Sequence, residues 1–85
     1  MNICIDCSAI MSQESFHEIL ASSLSFPSWY GNNLDSLHDC LTSLSGTVRL
    51  ENWEIAEERL GKYGHAAKKV LLHSALENEA LILIL

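Results

Sequence analysis

The first 48 residues of the chain contain no lysine and no arginine. They carry five acidic residues, whereas the remaining 37 residues carry six acids and five bases, so most of the net charge of −6 lies in the N-terminal half. A surface of this sign repels phosphate groups and attracts cationic proteins. The missing cations therefore argue against direct binding to nucleic acid or to an anionic membrane, and they favour a basic protein as the partner.

Targeting signals and long apolar runs are also absent. The longest apolar run, ALILIL at residues 80–85, is far shorter than the ~20 residues that cross a bilayer. The N-terminal MNICIDCSAI has neither the basic region nor the long apolar stretch of a signal peptide. Three cysteines, an odd number, fit a reducing compartment better than a disulfide framework. These features predict a cytoplasmic protein, with a single domain over residues 1–85.

Proline and glycine are scarce, with one and four residues, and regular segments lie between them. Three segments have the apolar pattern of β-strands: residues 2–7, 47–52 and 80–85. Four segments have the apolar spacing of helices: residues 15–26, 34–44, 54–60 and 65–76. The order β-α-α-β-α-α-β predicts an α/β fold, in which a small three-stranded parallel sheet is packed by four helices. The continuous apolar run of the last strand is typical of a strand covered on both faces.

Short polar residues indicate where the first two helices begin. The first helix is expected to start at Ser12 or Ser15, because Ser15 and Glu18 match a capping box. It should end before Pro27, since the residue preceding a proline avoids the α-helical conformation. Asn33 is a favourable N-cap for the second helix.

The second predicted helix carries two acids with no cation near them in the sequence. Its leucines form one apolar stripe: Leu34, Leu37, Leu41 and Leu44. Asp35 and Asp39 fall on the opposite side, with His38 between the two faces. Like charges four residues apart destabilise a helix by roughly 0.3 kcal/mol. Because Trp29 and Tyr30 stand at the N-terminal end of this acidic side, the pattern favours an interface for a basic pocket.

Two other interpretations of this helix remain open. Asp35, His38 and Asp39 have the spacing to offer two or three ligands to a divalent cation, which would make the protein a metal-dependent enzyme, although no second cluster supplies the remaining ligands. The acids could also form a solvated polar face without a partner, but such a face usually contains lysine or glutamine, and this one contains neither.

The cysteines and remaining histidines predict no catalytic site. Cys4 and Cys7 form a C-x-x-C sequence, but positions i and i+3 of a strand face opposite sides, so two structural thiols are expected, with Cys7 toward the core. Cys40 should point away from His38 toward the leucine stripe, which rules out a local thiol–imidazole pair. Three further histidines are expected at the surface or at helix ends: His17, His65 and His73.

Residues 30–42 contain the pattern Y-G-x-N-L-D-x-L-x-D-C-L-T, which closely resembles the core of the barstar family of intracellular inhibitors of the ribonuclease barnase. The resemblance extends more weakly along the chain. It includes the sequence LENW at residues 50–53, the residues from Gly64 to Leu71 and the terminal strand. The family fold, a small parallel sheet with four helices, agrees with the predicted order of elements.

The resemblance implies an inhibitor that caps the active site of a ribonuclease and has neither catalytic activity nor a cofactor. The carboxylate of Asp39 would take the place of an RNA phosphate, and Asp35 would reinforce it. The surrounding contacts that the resemblance implies are Trp29, Tyr30, Asn33, His38, Thr42, Ser43 and Leu44. The partner would be a basic ribonuclease or another cationic toxin, and this protein would serve as its immunity protein or antitoxin, monomeric when free. The rival within this fold is an interaction module with a target other than a nuclease.

Some residues depart from the family pattern at the rim of this surface. His38 replaces an aromatic residue, and the pair Ser43-Leu44 replaces glycine and tryptophan. Leu76 stands near the position of a further acid on the fourth helix, which Glu77 or Glu79 would match only after a shift in alignment. Because rim residues control specificity more than binding mode, these changes bear chiefly on which ribonuclease is inhibited.

Overall fold

The structure is a computed structural model that describes all residues from 1 to 85. It contains three strands, four α-helices and one short 3-10 helix. In chain order the elements are β1 (Asn2–Asp6), the 3-10 helix (Cys7–Ala9), α1 (Gln13–Leu24), α2 (Leu34–Leu41), β2 (Gly46–Glu51), α3 (Trp53–Leu60), α4 (Lys62–Glu77) and β3 (Leu81–Ile84). The predicted α/β class and order of elements are confirmed. None of the helices combines the length and apolar character that a membrane crossing needs.

The sheet is fully parallel, with β2 in the centre of the order β1-β2-β3. Ile5 lies opposite Leu50, and Val48 lies opposite Leu83 on the other side. The inward side chains of the three strands join the buried sides of all four helices in one core of 15 residues. Burial of this shared core is the main favourable term in folding.

The prediction that the last strand is covered on both faces is wrong. Leu81 is only 4% exposed, but Ile82 is 58% and Ile84 is 38% exposed. Ile84 continues a row of exposed side chains that crosses the sheet through Arg49 and Cys4. Successive side chains of a strand point to opposite faces of the sheet. Leu81 and Leu83 therefore point toward the core, and Ile82 and Ile84 point to the exposed face.

The start of α1 also differs from the predicted capping box. Ser12 is the N-cap, and its hydroxyl accepts a hydrogen bond from the backbone N–H of Ser15 at 3.2 Å. The hydroxyl of Ser15 in turn accepts from the N–H of Ser12 at 2.9 Å. Ser15 therefore makes the return hydrogen bond of the capping box, which the sequence had assigned to Glu18. The cap lies at Ser12, three residues before Ser15. The helix ends at Leu24, before Pro27, as predicted.

Candidate protein-binding site

The N-terminus of α2 is fixed by Asn33, as the sequence predicts. Its side-chain oxygen accepts a hydrogen bond from the backbone N–H of Ser36 at 2.8 Å, and its amide donates to the carbonyl of Gly31 at 3.2 Å. One side chain therefore caps the helix and ties the preceding loop to it. This fixes the direction in which the first turn of α2 presents its side chains.

The two sides of α2 have opposite character. Leu37 and Leu41 are fully buried and Cys40 is 5% exposed, whereas Asp35 and Asp39 are both exposed. Burial of the apolar side holds the helix against the core, and the spacing of four residues puts the two acids side by side on the solvent side. We call the exposed side of α2 and the loop residues that flank it the acidic face: Trp29, Asn33, Asp35, Asp39 and Ser43.

The carboxylates of Asp35 and Asp39 have no partner within the protein. None of the four ion pairs, defined by a nitrogen–oxygen distance up to 4.0 Å, includes either residue. The hydroxyls of Thr42 and Ser43 donate to the backbone carbonyl of Asp39 at 3.0 and 3.3 Å, and not to its carboxylate. Both carboxylates are therefore available to a cation from outside the chain.

The other residues that the resemblance assigned to the surface differ in exposure. Trp29 is 66% exposed, and Asn33 and Ser43 are also exposed. Tyr30, His38, Thr42 and Leu44 are half-buried. Leu44 packs against the core. The second helix was expected to reach residue 44, but α2 ends at Leu41.

Tyr30 is turned inward by a buried histidine. His17 is 2% exposed; its Nδ1 lies 2.6 Å from the hydroxyl of Tyr30, and its Nε2 lies 2.5 Å from the hydroxyl of Tyr63. Burial lowers the pKa of His17 and raises the pKa of both tyrosines. A neutral imidazole satisfies both contacts, since one ring nitrogen donates to a hydroxyl oxygen and the other accepts from a hydroxyl group. These contacts join α1, α4 and the loop that leads into α2.

The prediction that His17 lies at the surface is therefore wrong. Its two partners are 13 and 46 residues away in the sequence, so no local pattern identifies them. The only available signal is the position of His17 beside Phe16 and before Leu20, which places it near the apolar side of α1.

A second histidine contact connects α2 to α4. His38 Nε2 lies 2.9 Å from Glu77 Oε2, and His73 Nε2 lies 3.2 Å from Glu77 Oε1. The two imidazole rings are stacked, with centroids 5.6 Å apart and planes at 22°. His38 Nδ1 also lies 2.8 Å from the hydroxyl of Ser74, which is buried. We call His38, His73 and Glu77 the histidine–carboxylate bridge.

This bridge places Glu77, and not Glu79, beside the predicted site. The sequence left open whether either acid contributes to the site. Glu79 follows the end of α4, is exposed and takes part in no ion pair. Unlike Asp35, Glu77 has both carboxylate oxygens engaged within the chain.

Next to the bridge lies a groove between α2 and α4 with a volume of about 440 Å³. Its apolar lining comes from two half-buried residues, Leu34 and Val70, and its polar lining comes from four side chains: Asp35, His38, Lys69 and His73. Asp35 and Lys69 line the same groove without forming an ion pair within 4.0 Å.

The metal-site interpretation receives no support from the geometry. No three side chains among histidine, cysteine, aspartate and glutamate are arranged so that they could hold a metal ion. Asp35, His38 and Asp39 do not converge on one point, and His38 is directed toward Ser74 and Glu77 on α4.

The three cysteines are free thiols. Cys7 is fully buried, as predicted, but it lies in the 3-10 helix and not in the strand. Burial raises the pKa of Cys7 to about 12 and also raises the pKa of Cys40. A hydrogen bond to the carboxylate of Glu51 raises the pKa of the exposed Cys4. All three thiols are thus held in the less nucleophilic protonated form.

Comparison with known proteins gives the same assignment as the pattern at residues 30–42. A family model described as "Barstar (barnase inhibitor)" matches residues 1–80. A protein of Bacillus subtilis (strain 168), named "Putative ribonuclease inhibitor YrdF", is 39% identical over 72 residues, covering 81% of this chain and 79% of that protein. The chain belongs to the barstar family.

Proposed function

We propose that this protein inhibits a ribonuclease by covering the enzyme's RNA-binding site with the acidic face. The observation that carries the proposal is the state of Asp35 and Asp39, which are exposed, adjacent and without any cation of the chain within 4.0 Å. An enzyme that binds RNA presents cationic side chains where the phosphates lie. The two carboxylates match such a site in charge.

The mechanism is imitation of the RNA backbone. A carboxylate, like a phosphate, accepts charge-assisted hydrogen bonds from arginine, lysine or protonated histidine. Asp39 is the central anion in this proposal, and Asp35, one turn earlier on α2, binds a neighbouring cation. The loop before α2 adds Trp29, a residue that is 66% exposed and whose ring can cover aliphatic or guanidinium groups of the enzyme.

The remaining contacts complete the surface around the two acids. They are Tyr30, Asn33, His38, Thr42, Ser43 and Leu44. Tyr30 contributes mainly by holding the loop, because its hydroxyl is bonded to His17. His38 and the pair Ser43-Leu44, which depart from the family pattern, fit the enzyme's rim and select among ribonucleases.

The wider role that fits this mechanism is that of an immunity protein or antitoxin against a basic ribonuclease or a similar cationic toxin. The 85 residues act as one domain, monomeric when free, with no catalysis, no cofactor, and no direct contact with nucleic acid or membranes. Three free cysteines support a location in the reducing cytoplasm.

The test is an RNA-cleavage assay with a panel of purified microbial ribonucleases that begins with barnase. At least one enzyme should be inhibited stoichiometrically, and a competing nucleotide in its active site should slow the inhibition. Asp39→Ala should abolish inhibition at concentrations where Glu58→Ala, which removes an exposed and unpaired acid of α3, retains it. The proposal is wrong if no enzyme is inhibited or if Asp39→Ala inhibits as well as the wild type. Capture of a partner without nuclease activity would favour the interaction-module alternative.

A further inference from the structure

Both carboxylate oxygens of Glu77 are bonded by imidazoles, one from each of two helices. His38 on α2 contacts Oε2, and His73 on α4 contacts Oε1, with the two rings stacked. The charged and titratable side chains that share the groove with His38 are Asp35 on its own helix and Lys69 and His73 on α4. Glu77 on α4 contacts His38 directly, and the exposed Asp39 follows it on α2. The acidic face and the groove beside it contain no imidazole other than those of His38 and His73.

We propose that the histidine–carboxylate bridge is a pH-responsive element that sets the charge of the acidic face, so that inhibitor binding weakens as the pH falls. The proposal rests on the inhibitory function proposed above and concerns the regulation of the same surface.

Each histidine can gain a proton without losing a contact. For His38, Nε2–H donates to Glu77 in both states; Nδ1 accepts from the hydroxyl of Ser74 when the ring is neutral and donates to its oxygen when the ring is charged. For His73, Nε2–H donates to Glu77, and the side chain is 65% exposed, so its second nitrogen is open to solvent. The bridge thus persists on protonation while its charge changes.

Protonation of both histidines changes the summed charge of the bridge, Asp35, Asp39 and Lys69 by two. With both imidazoles neutral, the three carboxylates and Lys69 sum to a charge of −2; with both protonated, the sum is zero. His38 and His73 line the same groove as Asp35, so the added charges lie beside that carboxylate and reduce its attraction for cations of the partner. Binding of a cationic partner and protonation of the bridge therefore oppose each other, and each reduces the affinity for the other.

The test compares three proteins with a blocked oligo-arginine peptide, which carries no group that titrates near neutral pH. The proteins are the wild type, the double variant His38→Gln/His73→Gln, and the control His65→Gln. The control removes an exposed histidine near the start of α4 that pairs with Glu57 of α3. Binding at the acidic face is followed by the NMR shifts of the Asp35 and Asp39 amides, and circular dichroism checks that each variant is folded.

From about pH 7.5 to about pH 5.5, the affinity of the wild type and of the control should fall about tenfold. That of the double variant should change by about twofold or less, because neither imidazole of the bridge is left. A double variant with the same pH dependence as the wild type, or a wild type with none, overturns the proposal.

A second arm uses the ribonuclease that the panel identifies. The ratio of its dissociation constants for the wild type and the double variant should rise as the pH falls. Protonation of the enzyme's own histidines affects both constants equally and therefore cancels in this ratio. A constant ratio overturns the proposed pH regulation while leaving the inhibitory function in place. If no ribonuclease is inhibited at any pH, the proposed function is wrong, and the oligo-arginine arm still decides whether the bridge controls the charge of the face.

Discussion

The imidazole of His17 and the hydroxyl of Tyr30 lie 2.6 Å apart and join α1 to the loop that leads into α2. Tyr63 on α4 bonds the opposite nitrogen of the same ring at 2.5 Å. The position of the loop beside the acidic face therefore depends on one neutral histidine with two tyrosine partners.

Tyr30→Phe should destabilise the fold. The substitution leaves Nδ1 of His17 buried without a partner, which costs about 1–3 kcal/mol of the free energy of unfolding. Urea denaturation measures the change. As a control, Ser22→Ala removes an exposed hydroxyl of α1 and should change the free energy by less than about 0.5 kcal/mol. Equal effects of the two substitutions would contradict the role given to this hydrogen bond.

Stability should fall in mild acid because of His17. Burial holds its pKa in the folded state below the ordinary value, so below about pH 6.5 the unfolded chain binds a proton that the folded protein does not. The contribution is complete above that pH and is lost as the pH falls toward the folded-state pKa, with a slope of at most about 1.4 kcal/mol per pH unit.

Urea denaturation of the wild type and His17→Gln at several pH values isolates this effect. The variant is expected to be less stable at neutral pH, yet its free energy of unfolding should decline less between about pH 6.5 and about pH 5. His65→Gln, an exposed control, should keep the wild-type decline. Parallel curves for the wild type and His17→Gln would show that His17 does not titrate as its burial requires.

The one-sided burial of β3 predicts opposite results for two neighbouring residues. Leu81→Ala should cost about 2–4 kcal/mol of unfolding free energy, because it opens a cavity in the core. Ile82→Ala removes a side chain that is 58% exposed and should cost about 1 kcal/mol or less. Urea denaturation of both variants provides the comparison. A large loss for Ile82→Ala would mean that another chain covers the outer face of the sheet in solution.

Association with the ribonuclease should be strongly dependent on salt. Exposed charges attract over a distance that shrinks from about 30 Å at 0.01 M ionic strength to about 3 Å at 1 M. The association rate constant, measured by stopped-flow fluorescence, should therefore fall by about tenfold or more over this range, with a smaller change in the dissociation rate. Asp35→Asn should reduce the salt dependence, and Glu58→Gln should reduce it less. A rate that does not respond to salt would contradict electrostatic steering.

The parts of the molecule that follow from short-range patterns were predictable from the sequence. The N-cap at Asn33, the buried leucines of α2 and the exposure of Asp35 and Asp39 depend on spacings of three or four residues. The order of strands and helices follows from the apolar patterns of the two kinds of element.

Long-range contacts were not predictable in this way. His17 is buried because tyrosines 13 and 46 residues away satisfy its ring, and His38 contacts Glu77 across 39 residues of sequence. The outer face of β3 was also missed, since an apolar run does not reveal that helices cover only one side of the sheet.

The most direct test of the central claim is the binding free energy of Asp39→Asn. This substitution keeps the shape of the side chain and removes only the charge from a position that has no partner in the free protein. Calorimetry with the inhibited ribonuclease should show a loss of about 2–5 kcal/mol, with the unfolding free energy changed by less than about 0.5 kcal/mol. Glu58→Gln should leave binding within about 0.5 kcal/mol of the wild type. Wild-type affinity for Asp39→Asn would contradict the claim that this carboxylate takes the place of an RNA phosphate.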